Sequence, residues 1–65
     1  MKTIKVKVIH QFKQLDGILD VGDSIDLNVL PTGYEFKAKN GENYSEQWMY
    51  NQIGPISLER IFEKQ

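Results

Sequence analysis

The sequence predicts an all-β fold: a small antiparallel domain of about five strands, with one short 3₁₀ or α turn near the C-terminus. Three observations carry this. Lys2–Phe12 and Ser24–Leu30 alternate apolar and polar residues with the period of two that half-buried strands require. Turn signals punctuate the chain at Asp16-Gly17, Gly22-Asp23, Pro31-Thr32-Gly33 and Asn40-Gly41. A second pair of candidate strands flanks Asn40-Gly41, so two successive hairpins can close over one interior.

In the first strand Ile4, Val6 and Val8 point one way and Lys5 and Lys7 the other, with Ile9 breaking the pattern on the polar face. Asp16-Gly17 is a strong hairpin signal, because both central positions of a type I′ turn need φ > 0. A hairpin closed there sets Ile4, Val6, Val8 and Phe12 opposite Val29, Leu27, Ile25 and Val21. On the other face it sets Lys7 and Lys13 opposite Asp26 and Asp20. Residues 13–20 read as polar and turn-like, and Gly22 as a bulge or sharp change of direction. Pro31-Thr32-Gly33 ends the next strand, since proline cannot donate to a ladder. Tyr34 to Tyr50 reads as the second hairpin. A loop of Lys39, Asn40 and Gly41, with Gly41 left-handed in a G1 bulge, sets Phe36 opposite Tyr44. It keeps Tyr34, Ala38, Trp48 and Tyr50 on that same face. Asn51 to Pro55 reads as a loop, Ser57–Arg60 as a single 3₁₀ or α turn, and the residues after it as a short strand.

With 65 residues the chain makes one domain at most. A chain of this size buries only about 60% of the surface that its unfolded form exposes. The absence of cysteine excludes disulfides, thiolate metal ligation and thiol catalysis. No apolar run approaches the roughly 20 residues of a membrane span, and no apolar core of a signal peptide follows Met1-Lys2-Thr3-Ile4-Lys5. A cytoplasmic location is the expectation. The net charge of -1 conceals a segregation. Residues 1–14 carry Lys2, Lys5, Lys7 and Lys13 and no acid, whereas residues 15–35 carry Asp16, Asp20, Asp23, Asp26 and Glu35 and no base. Adjacent strands that neutralise each other account for this better than a basic face that meets an anion.

The order of elements resembles an SH3-type barrel. The first strand (Lys5 to Ile9) is followed by a long irregular hairpin, Gly22-Asp23, Ile25-Asp26-Leu27, then Tyr34-Glu35-Phe36-Lys37-Ala38-Lys39 and Asn40-Gly41. Gly54 to Glu63 is similar to that family's closing 3₁₀ turn and last strand. The resemblance implies a closed SH3-like barrel whose first hairpin opens at the Gly-Asp turn. The family's groove for proline-rich peptides does not carry over. Lys7 and Ile9 stand where its first-strand aromatics would, Tyr34 where its tryptophan would, and Ser57 and Arg60 where its Pro and Tyr would. In size and style the chain is also similar to small phage and prophage proteins.

No catalytic constellation is legible. Asp16, Asp20, Asp23 and Asp26 lack the spacing of a calcium loop, so no metal is expected. His10 has no Ser or Cys nucleophile at a suggestive position, and no phosphate-binding glycine loop is present, so no cofactor and no enzyme activity are expected. Two binding roles remain. Tyr44 to Tyr50 is rich in the residue types favoured at protein interfaces, which points to Trp48, Met49 and Tyr50, with Ile9 as an exposed neighbour, docking a protein partner or a second copy. An unpaired edge strand would offer a further route to self-association. The alternative is nucleic acid held by Lys5, Lys7, Lys37, Lys39 and Arg60, against which stands a pI near 5.7.

Overall fold

A computed structural model describes residues 2–65. Five antiparallel strands form one sheet: β1 (Lys2–Val8), β2 (Ser24–Leu30), β3 (Gly33–Lys37), β4 (Asn43–Ser45) and β5 (Phe62–Lys64). An α-helix, α1 (Glu46–Ile53), follows β4, and 3₁₀ turns occupy Lys13–Leu15 and Leu58–Arg60. The sheet runs in the order β4-β3-β2-β1-β5. The mostly β architecture and the helical turn before the last strand agree with the sequence. Closure into a barrel does not occur, because β4 and β5 end as separate edges of three residues each.

The strand faces are those the alternation predicts. Val6, Val8, Ile25, Leu27, Tyr34, Phe36, Ala38 and Phe62 are buried on one side, and that side is covered by α1, the first 3₁₀ turn with the rest of the loop joining β1 to β2, and Ile61. Thr3, Lys5, Lys7, Ser24, Asp26 and Lys37 lie on the uncovered side. Phe36 sits at the centre, 6.2 Å edge-on from the Phe62 ring and 5.7 Å from Tyr44.

The β1–β2 register differs from the straight hairpin by two residues. Ile4 faces Leu27, Val6 faces Ile25, Lys5 faces Asp26 and Lys7 faces Ser24. A slip of two keeps every side chain on its own face, so the apolar pattern alone cannot distinguish the two registers. Backbone geometry decides. The Gly22 N–H donates to the Val8 carbonyl and the Val8 N–H to the Asp23 carbonyl, each at 2.8 Å, so two residues oppose one in a G1 bulge. Gly22 takes φ +97°, which only glycine adopts without strain. Beyond the bulge the chain leaves the ladder. The Asp16-Gly17 hairpin does not form, Lys13 does not meet Asp20, and Phe12 does not pair with Val21. Instead Ile18 and Leu19 N–H groups both donate to the Leu15 carbonyl, and the loop folds over the sheet with Leu15 and Leu19 buried. The straight hairpin would have set Leu15 beside Ile18 on the solvent face. Burying a leucine contributes roughly 1.5–3 kcal/mol, which favours the folded-over loop.

The β3–β4 turn is the three-residue loop that packing requires. Gly41 donates to the Ala38 carbonyl at 3.0 Å and Ala38 to the Glu42 carbonyl at 2.9 Å, a second G1 bulge. Phe36 accordingly faces Tyr44. The strand expected to continue to Tyr50 stops at Ser45. Ser45 caps the helix, its hydroxyl accepting from the Trp48 N–H at 3.3 Å, and Gly54 followed by Pro55 stops it. The alternation of Trp48 and Tyr50 imitates a strand, but Met49 and Ile53 four residues on mark the helix face that packs inward.

Leu15→Ala separates the two folds of the β1–β2 segment. With the loop packed as described, urea unfolding should show a loss of about 2–5 kcal/mol. A leucine on an exposed hairpin would lose under about 0.5 kcal/mol.

Candidate functional site

The helix that replaces the expected strand creates the site. Successive residues on a helix turn by about 100°, so Trp48, Met49 and Tyr50 cannot share a surface as strand neighbours do. Met49 points into the core at 1% exposure and is not a surface residue, contrary to the sequence expectation. Trp48 is half-buried, its ring 4.3 Å from Tyr44. Tyr50 is 54% exposed. Ile9 is exposed at the end of β1, where its N–H donates to the Ile61 carbonyl at 2.8 Å, and it does not line the site.

Tyr50 forms one wall of an open groove of about 410 Å³ between α1 and the segment returning to β5. Met49 and Ile61 form its floor, and Tyr34, Ile53 and Ile56 complete its apolar lining. Ile53 and Ile56 belong to the stretch read as loop and turn, and their contribution was missed. The signal was present in Ser45 and in Gly54-Pro55, a helix start and stop bracketing Met49 and Ile53.

The electrostatics of the groove are one-sided. Among the described residues its single charged lining residue is Glu46, at the first turn of α1. The Glu46 carboxylate lies over Gly33, where any Cβ would collide with it. Burial first, and Glu46 second, push the Tyr34 phenol up to about 12, so the hydroxyl stays neutral. At the other end the last turn of α1 holds no basic residue to oppose the helix dipole. Residues 40–59 carry Glu42, Glu46 and Glu59 and no Lys or Arg. Residues 36–65 taken together are balanced, which hides this acidic stretch.

The candidate nucleic-acid residues are dispersed. Lys5 meets Asp26 at 3.5 Å, and Lys7 stands opposite Glu63 as well as Ser24. Lys37 lies on the uncovered face opposite Asn43, and Arg60 lies in the second 3₁₀ turn. Lys39 is drawn away from the sheet to the β1–β2 loop, where it pairs with Asp20 and, at 3.1 Å, with Asp23. Asp20 also accepts from the Gly17 N–H at 3.0 Å and the Gln11 amide at 3.1 Å. These contacts, Lys39 foremost, hold the Asp20 carboxyl down to about 2. The pair clasps the loop to the end of β3. His10 stands against Phe12, ring centroids 4.5 Å apart, and not opposite Asp23 in a strand pair. Among the described residues no three His, Asp or Glu side chains converge as metal ligands, and no buried polar side chain lacks a partner.

Comparison with protein-family models, curated proteins and solved structures finds no match. The functional reading therefore rests on this chain's own surfaces.

The clasp sets a pH dependence. A carboxyl with a folded pKa below its unfolded value adds stability above the unfolded value, 3.8 here, and loses it as the pH falls toward about 2. Thermal melts should therefore show the midpoint dropping across that window. Asp20→Asn should lower the midpoint at neutral pH and flatten the drop. Identical pH profiles for the two proteins would show that the clasp does not stabilise the fold.

Proposed function

We propose that this protein is a non-enzymatic docking module whose groove beside α1 receives a segment of another protein. The observation that carries this reading is Tyr50, a large amphipathic ring standing free at the rim of an apolar depression. Tyrosine in such a setting is a common anchor, because it contributes contact area at little conformational cost. Among the described residues no charged side chain is buried, and the Tyr34 phenol in the groove is pushed up to about 12 and stays neutral, which suits binding better than acid or base catalysis near neutral pH. Nucleic-acid binding has less support, since Lys5 and Lys39 already face carboxylates and Lys7 stands opposite Glu63. The SH3-type order of elements and the likeness to small phage proteins extend the proposal to an accessory protein acting on a host or virion component. The open sheet is its departure from that family.

Panning a random peptide library against the immobilised domain tests the docking role. Enriched peptides should bind Tyr50→Ala about thirtyfold more weakly, roughly 2 kcal/mol for an anchor residue, with the circular dichroism unchanged. They should bind a Val21→Ala control, altered far from the groove, as they bind the parent. No enrichment, or equal binding to the Tyr50 variant, would overturn the reading.

A further inference from the structure

We infer that the occupant of the groove is a basic amphipathic segment of a partner protein, presenting aliphatic side chains flanked by Lys or Arg. This rests on the docking role proposed above and adds the chemistry of the partner. The floor and walls are hydrocarbon, from Met49, Ile53, Ile56 and Ile61, with Tyr34 and Tyr50 contributing rings. They accept a few aliphatic side chains and offer little to a polar strand.

Charge selects among apolar partners. Several charged groups elsewhere in the fold have an opposite neighbour: Lys5 has Asp26, Lys7 faces Glu63, and Lys39 has Asp20 and Asp23. Glu46 has no cation within ion-pair distance among the described residues, although it is the charged group that borders the groove. The carbonyl end of α1 closes the far end, also without a cation. The segment from residue 40 to 59, which supplies most of the lining, carries Glu42, Glu46 and Glu59 and no base. The Glu46 carboxylate, only partly offset by the positive end of the α1 dipole, and the carbonyl end of α1 flank an apolar floor, which matches a segment with cations spaced around an apolar centre.

The same charges disfavour other occupants. A symmetric pair of copies meeting through this groove would set the same patch against itself, and that patch holds no cation to meet Glu46. Phosphates of nucleic acid and of anionic lipid would meet the Glu46 carboxylate and a helix C-terminus.

The probe is a short acetylated peptide of Leu and Arg in amphipathic helical order, with a twin in which every Arg is Glu. Titration of the isotope-labelled full chain should show the Leu/Arg peptide shifting the amides of Tyr50, Ile53 and Ile56, and the Leu/Glu twin binding more weakly. Glu46→Gln, at an exposed position, should weaken the Leu/Arg peptide about two- to fivefold, as expected for one rim ion pair. Raising salt from about 50 to about 500 mM should weaken it further. Equal affinity of the twins at these amides, or indifference to Glu46→Gln, would overturn the basic partner and leave the docking role standing. The same holds if neither twin shifts these amides while library-selected peptides do. If no peptide of either origin shifts them, both inferences fall.

Discussion

The fold turns on the bulge at Gly22-Asp23. Val8 faces two residues there instead of one, and a ladder that meets such a mismatch bends and ends. Only a residue without Cβ takes φ +97° at no cost, so one glycine decides where the β1–β2 pairing stops. The segment between Val8 and Gly22 is then too long for a turn and must be placed elsewhere. It folds across the apolar face, and Leu15 and Leu19 become core. Without that cover, Val6, Val8 and Ile25 would have only α1 and the C-terminal turn to exclude water.

Electrostatics follow from the same placement. The folded-over loop brings Asp20 and Asp23 to the end of β3, where Lys39 meets both. The β1–β2 ladder brings Lys5 to Asp26. The segregation of basic and acidic residues along the first half of the chain thus resolves into local neutrality. Between Lys39 and Arg60, where most of the groove lies, the chain carries Glu42, Glu46 and Glu59 and no base. A nearly neutral chain can carry a one-signed groove when its opposite charges lie elsewhere.

Much of the fold was legible because period-two patterning fixes faces. Ile4, Val6, Val8, Ile25, Leu27 and Phe36 were all assigned to the side they occupy, and the three-residue loop ending at Gly41 followed from pairing Phe36 with Tyr44. Register was not legible, because a shift of two residues leaves those faces unchanged. Leu15 and Leu19 were missed because Asp16-Gly17 between them imitates a hairpin turn, and local turn chemistry is blind to tertiary cover. Met49 was taken as a surface residue because Trp48, Met49 and Tyr50 were laid on a strand. The hydrogen bond from the Trp48 N–H to the Ser45 hydroxyl, which makes the segment a helix, is visible only as a weak preference for serine at such positions. Of the residues proposed for docking, Tyr50 survives as a free side chain. Ile53 and Ile56 were hidden in a stretch with neither strand nor long helix periodicity.

The point where the strand pattern fails is also the point where the domain acquires a concave surface. A β4 prolonged to Tyr50 would have run past the start of β3, with Trp48 opposite Thr32 in the Phe36–Tyr44 register, and left a continuous sheet with a polar back. Stopping β4 at Ser45 costs several ladder bonds and leaves the sheet open. The helix recovers those backbone bonds internally and buries Met49, but a cylinder laid on a twisted sheet cannot seal against the segment that returns through Gly54 and Pro55. The gap between them is the groove, and Tyr50 is turned to its rim by the same rotation that turns Met49 inward. In a chain too small to hold a polar pocket inside its core, a mismatch in packing between a helix and the return to β5 is the available way to build a depression. Its lining is apolar because it is made of residues that a tighter fold would have buried.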